Sequence, residues 1–87
     1  MERSVTVYGP LRSATGAKVI AVDVTGGTVA DVVEAVVDAY PRSRPYLYDG
    51  GEVRPSVRVA VDGERATLDA PVPADAEVTL FPAVQGG

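Results

Sequence analysis

The sequence predicts an α+β fold, in which a mixed sheet of about five strands carries one main helix across one face. Several short segments alternate polar and apolar residues with a period of two, which is typical of half-buried strands. Only one stretch, at about residues 28–40, repeats its apolar residues with the 3.6-residue period of an amphipathic helix. Because the strands need a cover and one such helix is available, that helix is expected to lie against the sheet.

The first two strands form a predicted hairpin. Residues 4–8 alternate polar and apolar side chains, and Gly9-Pro10 ends this segment. Residues 18–24 are rich in β-branched side chains and make the second strand. The turn-prone residues 13–16 separate the two, so the second strand should run antiparallel to the first.

The predicted helix begins with a capping signal and carries one apolar stripe. Thr28 is followed three positions later by Asp31, a spacing typical of a helix cap. The stripe consists of Val29, Val32, Val33, Val36, Val37 and Tyr40. Asp31, Glu34 and Asp38 fall on the opposite side, where a solvated helix face explains them better than a cation site. We therefore expect no metal, and we expect Pro41 to end the helix.

A broken segment and a second hairpin follow the helix. Residues 42–51 contain prolines and glycines and predict a short helical turn plus a loop. Residues 56–62 alternate again, and Asp62-Gly63 is a hairpin-turn dipeptide before a short strand at residues 65–68. The sequence thus predicts another antiparallel pair.

The last strand decides the topology. Residues 77–81 alternate, with Val78 facing inward, and Pro82 closes the strand. This order of elements predicts a β-grasp, or ubiquitin-like, arrangement in which the first and last long strands lie side by side and parallel at the sheet centre. We predict one β-grasp domain at residues 1–82 and a flexible carboxy-terminal tail at residues 83–87.

Composition excludes most kinds of side-chain catalysis. The chain has 87 residues with neither Cys nor His, so it has no thiolate, no disulfide and no imidazole base or metal ligand. We therefore expect that it is not an enzyme.

A net charge of −4 without a block of basic residues argues against nucleic-acid binding. With no secretory signal and no membrane-spanning apolar run, we expect a soluble cytoplasmic globule without membrane contact.

The chain ends on Gly86-Gly87, and this makes the terminal carboxylate a candidate reactive group. Two residues without Cβ can enter a channel too narrow for any other residue. The six residues from Pro82 to Gly87 can extend about 20 Å, which is enough to reach a buried site in a partner. Five arginines could pair with an acidic partner surface, although surface arginines usually need no such role: Arg12, Arg42, Arg44, Arg54 and Arg58.

Three segments resemble one known family. Residues 80–87, an apolar pair and a proline before a short spacer and Gly-Gly, resemble the ending of MoaD/ThiS-type ubiquitin-like sulfur carriers, which include the small archaeal ubiquitin-like modifiers and related bacterial carrier proteins. Residues 8–16 resemble the family's first turn, and residues 28–33 its helix start. The chain departs from the family pattern at Gly9-Pro10 and at Ala83, which bears on the choice of partner.

The resemblance implies a role for each residue near the carboxy terminus. It implies that a ubiquitin-activating-type adenylyltransferase adenylates the carboxylate of Gly87, using ATP and Mg²⁺ that the partner binds and this chain does not. Conversion to a thiocarboxylate would then serve sulfur transfer in molybdopterin biosynthesis or tRNA thiolation, with an acceptor enzyme such as the molybdopterin synthase large subunit. Thiazole and cysteine synthesis also fit such a carrier. Gly86 lets the tail thread into the partner, and Phe81, Pro82 and Val84 are expected to dock against it.

Two other functions compete with the sulfur carrier. The same Gly-Gly end could form isopeptide bonds with lysines of target proteins, as a protein modifier, and Lys18 is the only lysine available for self-linkage. One activated acyl group can serve both sulfur and amine nucleophiles, so the two functions are compatible. The third reading is a non-covalent β-grasp interaction module, which predicts that removal of Gly86-Gly87 leaves function intact.

Overall fold

A computed structural model describes residues 1–82 of the chain. The strands in chain order are β1 (Glu2–Val7), β2 (Val19–Asp23), β3 (Tyr48–Asp49), β4 (Glu52–Val53), β5 (Arg58–Val61), β6 (Glu64–Ala66) and β7 (Val78–Phe81). The helices are α1 (Pro10–Thr15), α2 (Val29–Ala39) and α3 (Arg44–Leu47), and a 3₁₀ turn at Pro41–Ser43 precedes α3. The predicted division between residues 82 and 83 stays a prediction, because residues 83–87 lie outside this description.

Five strands form a mixed sheet in the order β2-β1-β7-β5-β6. β1 and β7 are parallel neighbours at its centre, with Val7 opposite Leu80. β1 pairs with β2, and β5 with β6 and β7, in antiparallel fashion. Asp62 and Gly63 turn the β5–β6 hairpin with φ angles of 53° and 83°, as the Asp-Gly dipeptide predicts. The predicted β-grasp topology is confirmed.

α2 covers one face of this sheet through the predicted valine stripe. Val29, Val33 and Val36 have no exposed surface, and Tyr40 packs half-buried at the end of the stripe. From the sheet side, Val5, Val7, Val78 and Leu80 meet them and are fully buried. Within residues 1–82 no helix covers the other face of the sheet, and we call it the open face.

A capping box holds the amino end of α2. The backbone N–H of Asp31 donates to Thr28 Oγ1 at 3.3 Å, and the backbone N–H of Thr28 donates to Asp31 Oδ2 at 3.1 Å. Asp31 therefore does here what glutamate usually does in this motif. The contacts of Thr28 with the carboxylate, first through its backbone and then through its hydroxyl, hold the pKa of Asp31 below its ordinary value.

The capping box predicts a pH dependence of stability. Because folding lowers the pKa of Asp31, its carboxylate stabilises the fold above the pKa of the unfolded chain, and this contribution is lost as the pH falls through the folded pKa. The Tm of the wild type should exceed that of Asp31→Asn at neutral pH, and the gap should close as the pH falls from about 5 towards 2. Thermal unfolding followed by circular dichroism measures it. Asp38→Asn controls for the loss of one exposed negative charge on α2, and a pH-independent gap for Asp31→Asn would contradict the prediction.

Two segments differ from what the sequence pattern predicts. The predicted turn around residues 13–16 is in fact the end of α1, which starts with Pro10 and ends at Gly16 in the left-handed conformation (φ 81°). Proline at the start and glycine after the end are ordinary helix signals, but six residues are too few to display a helical period. The predicted loop within residues 42–51 contains β3, which pairs antiparallel with β4 just after that segment, although the predicted helical turn before β3 is confirmed.

A buried arginine ties the start of β1 to the segment that leads into β7. Arg3 is 7% exposed, and its guanidinium donates to the carbonyl oxygens of Val72, at 2.9 Å, and Pro73. Two carbonyl acceptors satisfy much of the hydrogen-bonding capacity of this buried cation. The contact fixes the segment before the central strand.

Within residues 1–82, no helix has both the length and the hydrophobicity that crossing a membrane requires.

Candidate functional site

The candidate site is the end of the sheet where β7 stops and the chain continues towards Gly87. The backbone N–H of Tyr8 donates to the carbonyl oxygen of Leu80 at 3.2 Å, which extends the β1–β7 pairing by one bond. Pro82 follows Phe81 and is buried. Because β7 lies between β1 and β5 and Pro82 is buried, the fold fixes the position of the chain up to residue 82.

Gly9 provides the space that Pro82 occupies. A Cβ atom at Gly9 would lie 3.3 Å from Pro82 Cγ, which is tighter than most real Cβ contacts. Gly9 also has φ 61° and ψ −140°, a conformation that residues with a Cβ rarely adopt. Pro10 then starts α1. Gly9 and Pro10 thus fit the close packing around Pro82 and the start of α1.

Two aromatic rings lie together on the open face beside this exit. The side chains of β1 alternate, so Val5 and Val7 face the core while Tyr8 emerges on the open face. The ring of Tyr8 stacks on that of Phe81, with a centroid distance of 5.0 Å and an interplanar angle of 8°. Both side chains remain more than a third exposed, at 37% and 38%. Such an exposed aromatic pair is typical of a protein-binding surface.

Three cations surround the aromatic pair. Lys18 Nζ lies 5.6 Å from the centroid of the Tyr8 ring, a cation–π distance. On the other side, the strand register sets Arg58 opposite Phe81 and Arg65 opposite Ala60, so both arginines share the open face. Their side chains are exposed. We call Lys18, Arg58 and Arg65 the cationic rim.

A shallow depression of about 490 Å³ lies between the aromatic pair and the two rim arginines. Its floor includes Ala60 and Thr79, small side chains that leave the backbone of β5 and β7 close to solvent. An apolar centre with a positive rim on a chain of net charge −4 favours a partner surface that presents apolar groups surrounded by acids. With neither His nor Cys in the chain, the site can bind and present a group but has no imidazole base or thiolate nucleophile.

The predicted site residues divide into two sets. Phe81 is exposed on the open face, whereas Pro82 is buried against Gly9 and so positions the chain. Val84, Gly86 and Gly87 lie outside the described residues, and their roles stay predictions. Across residues 1–82, no three acidic side chains come together as metal ligands.

The sequence alone does not assign Tyr8, Lys18 and Arg65 to the docking surface. Their signal is the strand register: once β1 and β7 pair in parallel, Tyr8 must lie beside Phe81, and Arg65 follows from the β5–β6 hairpin. Arg58 stands among the surface arginines of the sequence, and only its place opposite Phe81 distinguishes it from the rest.

Comparison with known proteins gives one family match and several similar structures. Residues 5–87 match the model of the ThiS family. SAMP1 from Haloferax volcanii is 32% identical with a TM-score of 0.84, and the alignment covers 100% of both chains. The Haloferax volcanii HVO 2177 protein is 33% identical with a TM-score of 0.74, covering 100% of this chain and 87% of that one. A chain of the Amycolatopsis orientalis BexX/CysO complex is 26% identical with a TM-score of 0.74, covering 97% and 98%. No curated protein matches the sequence.

Proposed function

The chain belongs to the ThiS family, and from that premise we propose that it is a sulfur carrier whose working group is the carboxylate of Gly87. The single observation that carries the proposal is that the family match extends through the terminal Gly86-Gly87. A ubiquitin-activating-type adenylyltransferase would adenylate this carboxylate, and a sulfur donor would convert it to a thiocarboxylate. The cell compartment that fits this ATP-dependent step is the cytoplasm.

The chemistry explains why such a carrier needs an activating partner. A carboxylate is inert towards sulfur until one oxygen becomes part of a good leaving group. Attack of the Gly87 carboxylate on the α-phosphorus of ATP releases pyrophosphate and gives an acyl adenylate, and a sulfur nucleophile then displaces AMP. ATP and Mg²⁺ belong to the partner in this scheme. Because this chain has neither His nor Cys, we propose that it supplies the acyl group and not the catalysis.

The open face is the proposed docking surface for this partner and for the sulfur acceptor. If residues 83–87 become ordered only in the partner's site, their ordering would cost about 1–2 kcal/mol for each residue's backbone. Contacts of the folded body must offset that cost, and the aromatic pair with its cationic rim offers apolar area and charge beside the exit of the chain. The related BexX/CysO structure is itself a complex, which supports a partner enzyme here.

Mass spectrometry of the intact protein from its native host tests the proposal. Part of the population should be heavier by the difference between sulfur and oxygen, and fragment ions should locate this change at Gly87. A variant without Gly86-Gly87 is the control and should show no such species. Finding only the unmodified carboxylate in cells with active sulfur transfer would overturn the sulfur-carrier function.

The similarity to SAMP1 favours a second function. That protein is a small archaeal modifier protein, and it matches this chain over the whole length of both. The same activated Gly87 would then acylate lysines of target proteins and form isopeptide bonds. In a Gln85→Arg variant, trypsin would leave only Gly-Gly on a modified lysine, which makes the conjugates easy to identify. If tagged protein forms no adducts under any stress, this second function is wrong.

Removal of Gly86-Gly87 also distinguishes both functions from a non-covalent interaction module. Sulfur transfer and conjugation both need the terminal acyl group, so either function should disappear in the shortened variant. An interaction module that acts through the open face would retain its function. Since Phe81 and Pro82 are unchanged in this variant, the docking surface itself is preserved.

A further inference from the structure

We propose that the exposed edge of β2 pairs with β2 of a second copy of this chain, in antiparallel fashion and about a two-fold axis at Ala21. This pairing joins the two five-stranded sheets into one continuous sheet. The interface does not depend on the sulfur-carrier function. It lies at a different part of the domain from the aromatic pair.

Every second residue of β2 directs its backbone groups away from β1. In an antiparallel pair, residues that exchange hydrogen bonds alternate with residues that do not. The backbone N–H of Val7 donates to the carbonyl oxygen of Lys18 at 2.8 Å, so the bonded residues of β2 follow from Lys18 at every second position. The residues between them turn their N–H and C=O groups outwards, and these are Val19, Ala21 and Asp23. Because β2 is the edge of the described sheet, these groups have no strand partner within residues 1–82.

β2 lacks the features that usually protect an edge strand. Edge strands of most proteins are very short, or carry a proline, a bulge or a lysine that discourages pairing. β2 has five residues, VIAVD, and its register with β1 is unbroken. Val19 at its start is 55% exposed. Such an edge is open to the addition of another strand.

The opposite edge of the sheet offers much less. β6 has three residues, and its two-residue turn makes Val61 and Glu64 a hydrogen-bonded pair. Within β6, only Arg65 therefore directs both of its backbone groups outwards. One such residue does not define a register, whereas the three successive outward residues of β2 do.

The sequence of β2 fits a second copy of itself in one antiparallel register. With Ala21 opposite Ala21 of the other copy, Val19 lies opposite Asp23, and the outward residues make about six backbone hydrogen bonds. A shift by two residues leaves about four. The smallest side chain of the strand then lies at the axis, and no two like charges face each other. Each end of the pair also brings Lys18 of one copy next to the position of Asp23 of the other.

This pairing leaves the aromatic pair uncovered. The two-fold axis is perpendicular to the joined sheet, so the open faces of both copies point to the same side. Phe81 belongs to β7, which β1 separates from β2, and Arg58 belongs to β5 one strand further away. Closed two-fold pairs are the commonest assembly of identical chains. Each copy of the dimer should therefore still dock a partner.

Association should be weak, because one pair of five-residue strands buries less than the roughly 1,200 Å² of a stable interface. We expect a Kd of about 0.1–1 mM. NMR spectra of the full chain, recorded at increasing concentration up to about 2 mM, test this expectation. The diffusion coefficient should fall as the concentration increases. The amide resonances of Val19, Ala21 and Asp23 should shift more than all others.

The register itself can be measured in a mixture of isotopically labelled and unlabelled protein. In the proposed register, Ile20 of one copy lies opposite Val22 of the other as a pair without hydrogen bonds, with Cα atoms about 4.5 Å apart. An intermolecular nuclear Overhauser effect should therefore join the Hα atoms of these two residues. Within one molecule they belong to the same strand and do not approach each other in this way.

Charge variants at the axis test whether residue 21 faces itself. Ala21→Glu sets two carboxylates opposite each other and should weaken association about 5-fold or more at low salt. Ala21→Lys should do the same with two ammonium groups, and an equimolar mixture of the two variants should regain association. Ser4→Glu is the matched control, since Ser4 is exposed and lies opposite Ala21, one strand away from the junction. Its Kd should stay within about 2-fold of the wild type at physiological salt.

Four results would overturn the pairing. They are a constant diffusion coefficient up to the highest concentration, shifts confined to the open face, equal association of Ala21→Glu and the wild type, and no gain on mixing the two charge variants. If added adenylyltransferase shifts the three outward amides while the chain alone does not associate, the edge receives a foreign strand and the second copy is wrong. Each of these results leaves the sulfur-carrier function standing.

Discussion

Replacing Leu80 by alanine should lower the free energy of unfolding by about 2–5 kcal/mol. Leu80 is fully buried in β7 and lies between Val7 of β1 and Val59 of β5. The truncation leaves a cavity in the central strand, where neighbours on both sides limit collapse. For a domain of this size, each kcal/mol lowers the Tm by about 4–8 °C. Denaturant and thermal unfolding measured by circular dichroism would report the change.

The adjacent residue is a matched control for this effect. Phe81 belongs to the same strand but points to the open face and is 38% exposed. Phe81→Ala removes the stacking with Tyr8, an aromatic pair of the kind worth about 0.5–1.5 kcal/mol. It should therefore cost much less stability than Leu80→Ala. Equal destabilisation by the two variants would contradict the burial of Leu80 in the core and the exposure of Phe81 on the open face.

Phe81→Ala should instead weaken docking of the activating partner. A buried aromatic anchor at the centre of an interface typically contributes 2 kcal/mol or more on truncation, which corresponds to about 30-fold in Kd. Isothermal titration calorimetry against the purified adenylyltransferase would measure this loss, with folding of the variant verified first. Leu68→Ala is the matched control, since Leu68 is a similarly exposed apolar residue (37%) outside the open face.

The cationic rim supplies a second arm of the same experiment. Arg58→Glu places a negative charge beside Phe81 and should slow association, with a smaller difference from wild type at high salt. The change in association rate distinguishes long-range charge from the contact area lost in Phe81→Ala. If Leu68→Ala weakens docking as much as Phe81→Ala does, or if Phe81→Ala leaves the Kd unchanged, the open face is not the docking surface.

Much of the fold follows from local patterns in the sequence. The predictions of the valine stripe of α2 and of its Thr28–Asp31 cap are confirmed. Both could be made because a helix of eleven residues shows its period and its cap within one segment. The prediction of a hairpin at Asp62-Gly63 is confirmed. Its turn needs a positive φ angle at both residues, and an Asp-Gly dipeptide adopts such angles readily. The parallel pairing of β1 and β7 follows from the order of elements.

Features that depend on contacts between distant segments could not be predicted in this way. α1 is short and buries only Leu11, so tertiary packing rather than a period defines it. β3 and β4 have two residues each, too few to show an alternation. The grouping of Tyr8, Phe81 and the cationic rim needs the register of four strands. The role of Gly86-Gly87 stays a prediction of a different kind, because it follows from the chemistry of the two residues and needs no fold.

The position of β7 also couples folding to completion of the chain. β7 lies at the centre of the sheet, yet it is synthesised after every other described strand. β1 therefore cannot complete its pairing, for example that of Val5 with Val78, until β7 has been made. Long-range pairings of this kind form late, since the intervening loop must close first. A product of interrupted translation that stops before residue 78 lacks both its central strand and Gly87. Such a fragment would be cleared as unfolded protein, so synthesis must reach Phe81 before the domain can fold.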